Sequence, residues 1–213
     1  MLSAFPHLTR AEFSDACLAL DARFRMHGHK QHDWISCDLI EDCDAPFLRF
    51  MKELRHGVHV ATIDEDEIDE DDDEVLHVDG RERAIIHYDI ILSPTYRVPI
   101  LYISITDPEH RYPPTIATLY DHLILPPFKA QAEHVGVIGG ITITEHPCTG
   151  RTVFFIHPCR TAEVMIASVG KAEVAPEEYL LMWIGALGEC VGLNVPLALM
   201  QGDEIMVDDT KMP

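Results

Sequence analysis

The stretch AIIHYDIILSPTYRVPILYISIT, residues 84–106, decides the fold. Two runs rich in β-branched and aromatic residues, Ala84 to Leu92 and Val98 to Thr106, flank a link whose Ser93-Pro94 pair carries turn chemistry. That pattern predicts an antiparallel hairpin. A second strand pair follows in VGVIGGITITE and RTVFFIH, joined by HPCTG, where Pro147, Thr149 and Gly150 supply the turn.

Helices flank these strands on both sides in sequence. Thr9-Arg-Ala-Glu12 is a capping box, and Phe13, Ala16, Cys17, Leu20 and Phe24 then fall on one helical face, which assigns Cys17 to packing. The last helix starts near Ala175-Pro176-Glu177-Glu178, with proline in the first turn and acids at the positive end of the dipole. Tyr179, Met182, Trp183, Ala186, Leu187 and Cys190 are its expected buried face. The order helix, antiparallel strands, helix predicts an α+β class. Residues 34–62 mix strand-like and helix-like periods and receive no assignment.

At 213 residues and 47% hydrophobic content, one domain spanning 1–213 is expected. Its net charge of −20 argues against a nucleic-acid partner, because neutralising phosphates needs a basic surface. Half of that charge lies in DEDEIDEDDDE, residues 64–74, where self-repulsion predicts a disordered acidic insertion at about 63–80. Glycine is missing at the sixth position of this run, where Asp69 stands, so an EF-hand is disfavoured. The longest apolar run, residues 179–200, is broken by glycines, Glu189, Asn194 and Pro196, and reads as a buried helix and an extended segment with no stable membrane insertion. Six cysteines without framework spacing, and no signal segment, point to a cytoplasmic address with free thiols. His27, His29 and His32 read as an exposed helix end, and acidic neighbours disfavour Cys37 and Cys43 as nucleophiles.

The tripeptide His-Pro-Cys occurs twice, ending at Cys148 and at Cys159. Cys148 falls within a hairpin connection, where the side chain is expected to face water. Cys159 follows the compact strand TVFFI and has His157 and Arg160 beside it, the rigid support and polar setting that an activated thiol needs. The competing reading is a zinc staple on His146, Cys148, His157 and Cys159. A proline between each His and Cys works against it.

FFIHPCRTAEVM, taken with EHP, SPTYRVPILYI and VGLNVPL, resembles the autophagy-related protein ten family over roughly residues 84–200. The resemblance implies a ubiquitin-conjugating-enzyme-like fold, with a central antiparallel sheet between N-terminal and C-terminal helices. It further implies that Cys159 accepts an autophagy-related protein twelve type modifier as a thioester from an autophagy-related protein seven type activating enzyme. The modifier then passes to a lysine of an autophagy-related protein five type target, and no cofactor is needed. The related carrier that conjugates its modifier to lipid also holds its cysteine in His-Pro-Cys, and it is the alternative within the same chemistry. Ordinary ubiquitin carriers place His-Pro-Asn before the cysteine; here no asparagine precedes Cys159 in the hairpin. His157, Thr142, Thr144 and Thr152 are the candidates for supporting roles, Thr144 foremost among the threonines, and Tyr96 for substrate binding.

Overall fold

The computed structural model describes residues 1–41, 46–54, 83–129, 140–170 and 173–200. The acidic run 64–74, the expected insertion around it and Cys43 lie outside these residues.

Six strands form one antiparallel sheet: β1 (Ser36–Ile40), β2 (Phe47–Glu53), β3 (Ile85–Leu92), β4 (Pro99–Thr106), β5 (Ile141–Glu145) and β6 (Thr152–Ile156), in the order β1-β2-β3-β4-β6-β5. The 84–106 hairpin is its centre, with Ile85 opposite Thr106 and Leu92 opposite Pro99. Side chains alternate across the pleat, so Phe50, Tyr88, Ile90, Leu101, Ile103 and Phe154 enter the core. Arg49, His87, Asp89 and Ser104 occupy the opposite face.

The core face is covered by α1 (Arg10–His27) and α3 (Pro176–Leu187), with α2 (Thr161–Val169) packed on α3 and a short α4 (Leu197–Met200) near the end of the described chain. At the start of α1, Thr9 Oγ1 accepts the Glu12 N–H at 3.2 Å and the Glu12 carboxylate accepts the Thr9 N–H at 2.8 Å. The backbone N–H of Thr9, with that of Ser3, holds the Glu12 carboxyl down at about 2. Phe13, Ala16, Cys17 and Leu20 are buried beneath α1. The helix ends at His27, and a 3-10 turn, Gly28–Lys30, follows.

Residues 34–62 hold a hairpin, β1–β2, with Ser36 opposite Met51 and Ile40 opposite Phe47. The buried face of α3 is wider than the sequence indicates. Leu180, Leu181 and Ile184 are buried with Tyr179 and Trp183, while Met182, Ala186 and Leu187 are only half-buried, because the helix is wedged between α1 and α2. Gly188 ends α3 where a Cβ would collide with the carbonyls of Ile184 and Leu193. No helix among the described residues is long and apolar enough to cross a membrane.

Two buried tyrosines tie the layers together. The Tyr88 hydroxyl donates to the Val191 carbonyl at 2.8 Å, and that of Tyr179 donates to the Pro6 carbonyl at 2.8 Å. Lys52 Nζ, on β2, donates to Gly192 O at 2.6 Å and pairs with Asp33 at 2.7 Å.

Candidate active site

Strand β6 delivers the second His-Pro-Cys. Val153 and Phe154 are buried and fix the strand, which stops at Ile156 because Pro158 has no N–H to continue the ladder. His157 then caps the 3-10 turn Pro158–Arg160, its Nδ1 accepting the Cys159 N–H at 3.1 Å, which puts the ring proton on Nε2. Pro158 and Thr161 are both buried, and Cys159 and Arg160 between them are exposed. The thiol thus stands in water on backbone that is anchored on either side, at the entry to α2.

Tyr96 reaches this place from the β3–β4 turn. Ser93 Oγ accepts its N–H at 3.0 Å, and His7 Nδ1 donates to its carbonyl at 3.1 Å. Its ring meets His157 edge to face at a centroid distance of 5.5 Å, while Phe155 meets the same imidazole at 5.8 Å. His157 is therefore held between two aromatic rings, two residues before the thiol. Arg160 is drawn toward Glu163, at 3.7 Å.

Thr144 is not part of this cluster. It pairs with Val153, whereas Ile141 pairs with Ile156, so Thr144 lies three residues, about 10 Å, down the hairpin from the Cys159 end. Thr152 is farther still, at the turn. Thr142, opposite Phe155, is the nearest of the three to His157 along the ladder.

Cysteine environments separate sharply. Cys17, Cys37 and Cys190 are free but buried, and burial pushes their thiols up, Cys17 to about 12 and Cys190 to about 11. Cys159 is the one exposed free thiol among the described residues. Cys148 is disulfide-bonded, which corrects the expectation of free thiols throughout and of a side chain facing water. It is half-buried, because the turn bearing it folds back onto the sheet.

The anchor of that turn is His146, only 2% exposed and missed as a structural residue by the sequence reading. Its Nδ1 accepts the N–H groups of Cys148 and Thr149 at 3.2 and 3.3 Å, so Nε2 carries the proton and faces Asp89 Oδ2 at 3.1 Å. The approach is close but off the N–H axis, a Coulombic contact more than an aligned hydrogen bond. Arg49 grips the same carboxylate through Nε and Nη2, both at 2.7 Å. Burial alone would raise the Asp89 pKa, but the Arg49 and His146 contacts outweigh it and hold the carboxyl below the usual range. Phe47 and Tyr102 pack their rings against His146 at 5.7 and 5.2 Å.

This geometry removes the zinc staple. The two His-Pro-Cys turns sit at opposite ends of the five-residue β6, about 17 Å apart along the strand, so their four side chains cannot converge on one ion. Both ring nitrogens of His146 are already engaged and Cys148 is bonded.

Comparison with known proteins bears on the whole of this arrangement. Residues 12–198 match the family described as autophagocytosis associated protein, active-site domain. A protein of Gibberella zeae described as ubiquitin-like-conjugating enzyme ATG10 is 36% identical over 146 residues, covering 66% of this chain and 60% of that protein. Proteins of the same description from Homo sapiens (30% identity, 60% and 58% coverage) and Dictyostelium discoideum (28%, 57% and 56%) are similar over 131 residues each. The chain spans less than two thirds of the length of these relatives. A solved structure titled as that of autophagic E2, Atg10, covers 85% of this chain and 97% of its own at 15% identity and a TM-score of 0.43, too loose a likeness to carry weight.

Proposed function

The chain belongs to the autophagocytosis-associated active-site domain family, and from that premise we propose that it is a ubiquitin-like-conjugating enzyme with Cys159 as its nucleophile. The observation that supports this most directly is the one exposed free thiol among the described residues, set between buried Pro158 and Thr161 at the head of α2. A thioester carrier needs a sulfur that two large proteins can reach in turn, on backbone that does not yield when they do.

In the first step the Cys159 thiolate attacks the modifier's C-terminal thioester carbonyl on the activating enzyme. A new carbon–sulfur bond forms and the activating enzyme's thiolate leaves. In the second, a lysine amine of the target attacks the Cys159 thioester, the carbon–nitrogen bond forms, the Cys159 thiolate leaves and the amine's proton passes to solvent. His157 is a positioning residue in this reading: through Nδ1 it fixes the backbone of Cys159, and Tyr96 and Phe155 fix its ring. Tyr96 is 43% exposed beside the thiol's turn and offers a ring and hydroxyl to an arriving modifier tail. The reading assigns the modifier to the autophagy-related protein twelve type, the activating enzyme to the seven type, the target to the five type, and the site of action to the cytoplasm.

The test is to incubate the chain with such a modifier, a charged activating enzyme and ATP, and to run non-reducing gels. A reductant-sensitive adduct that becomes reductant-stable in Cys159→Ser is expected. No adduct, or one that survives in Cys159→Ala, sinks the assignment.

A further inference from the structure

The other end of the sheet carries a site the transfer chemistry does not use. On the face turned away from α1, a cavity of about 310 Å³ is lined by Arg49, His87, Asp89, Ser104, Thr149 and Arg151 among others. Strands β2, β3, β4 and β6 and the first His-Pro-Cys turn build it.

Its polar groups are unevenly satisfied. Asp89 has both oxygens taken, by Arg49 and by the proton-bearing face of His146, so its charge is neutralised in place. A guanidinium has five N–H donors, and Arg49 directs two of them at Asp89. Arg151 is exposed and makes no ion pair among the described residues. The Thr106 hydroxyl lies 3.0 Å from His87 Nε2; with the hydroxyl donating, the ring proton sits on Nδ1. That Nδ1 is shielded from water and has no hydrogen-bond partner among the described residues.

We propose that this cavity binds a phosphate group, held by the spare N–H donors of Arg49 and the guanidinium of Arg151. Burial first, then Arg49 and Arg151 against the opposing pull of Asp89, push the His87 pKa down, so the ring sits neutral. Arg49 and Asp89 offset one another, which leaves the Arg151 guanidinium to supply the charge that attracts an oxyanion. Planar guanidinium forks suit tetrahedral oxyanions, and the hydroxyls of Ser104 and Thr149 add neutral donors at the rim. The volume exceeds that of a bare phosphate ion, leaving room for the carbon of an ester.

The test uses the full chain labelled for NMR, titrated with inorganic phosphate and, separately, with O-phosphoserine, against sodium chloride at matched ionic strength. Saturable shifts of the His87 ring and Arg151 amide signals are expected, with affinity falling about tenfold in Arg151→Gln, the loss of one charge-assisted contact. Ser104→Ala should weaken binding less. Binding of inorganic phosphate alone identifies the free ion as the source; equal or tighter binding of O-phosphoserine identifies an ester. Shifts that chloride reproduces, or an affinity unchanged in a folded Arg151→Gln, overturn the site. Cys159 lies at the far end of β6, so adduct formation there is independent of either result.

Discussion

The two His-Pro-Cys turns are the same device placed in two different surroundings. In each, the histidine Nδ1 accepts the cysteine N–H, at 3.2 Å for His146 and 3.1 Å for His157, closing the same small loop around the proline. Past that loop they diverge. His146 is buried on Asp89 under Phe47 and Tyr102, and its cysteine is bonded; His157 is held by Tyr96 and Phe155 at the sheet's other end, and its cysteine is exposed. The tripeptide is a turn, and tertiary contacts decide whether its cysteine is bonded or left exposed.

The largest effect that would break this comparison is on activity. Cys159→Ser is expected to abolish amine transfer altogether, whereas Cys148→Ser should still form a reductant-sensitive adduct while losing about 2–4 kcal/mol of stability with its disulfide; loss of the adduct in Cys148→Ser would erase the distinction. Next comes the staple itself. Asp89→Asn strips the counter-charge from Arg49 and should cost about 3 kcal/mol, read by urea denaturation at neutral pH.

The acid limb gives that prediction a sign. Because the Asp89 carboxyl is held below its ordinary range, its stabilisation is present above the unfolded carboxylate pKa of about 4 and is lost as pH falls through the depressed folded value. The gap in melting temperature between wild type and Asp89→Asn should therefore close on acidification; a constant gap would show that the contact is steric.

A smaller contrast separates the histidines. His146→Ala leaves two N–H groups and a carboxylate short of a partner in a buried setting and should cost about 2–3 kcal/mol, against about 1 kcal/mol for His157→Ala at the surface. Equal costs would mean that the surroundings matter less than the loop. Smallest of all, Thr144→Val should change stability by less than about 0.5 kcal/mol and leave adduct formation at Cys159 unaltered; a slower reaction would restore Thr144 to the site.

How much of this the sequence discloses depends on how local the signal is. The β3–β4 hairpin and the Thr9 capping box are spelled out by neighbours in the chain, and both appear with their expected residues. Hairpin β1–β2 is hidden because FLRFMKE buries Phe47 and Leu48 on opposite faces, the first beneath His146, which destroys the alternation that identifies a strand. Cys159 is legible because strand, proline and helix start are consecutive. The Arg49–Asp89–His146 cluster is not, since its members come from β2, β3 and the β5–β6 turn and meet only once the sheet has formed.

The N-terminal segment sets an order of events during synthesis. Pro6 O receives the Tyr179 hydroxyl, Leu2 N–H donates to Val174 O, and Leu8 N–H donates to Arg97 O. Residues 1–8 thus find their hydrogen-bonding partners near residue 97 and beyond residue 170. Until α3 has emerged, the turn carrying Tyr96 lacks the layer that Tyr179 pins above it, and the Cys159 end of the sheet is assembled among the last parts of the molecule.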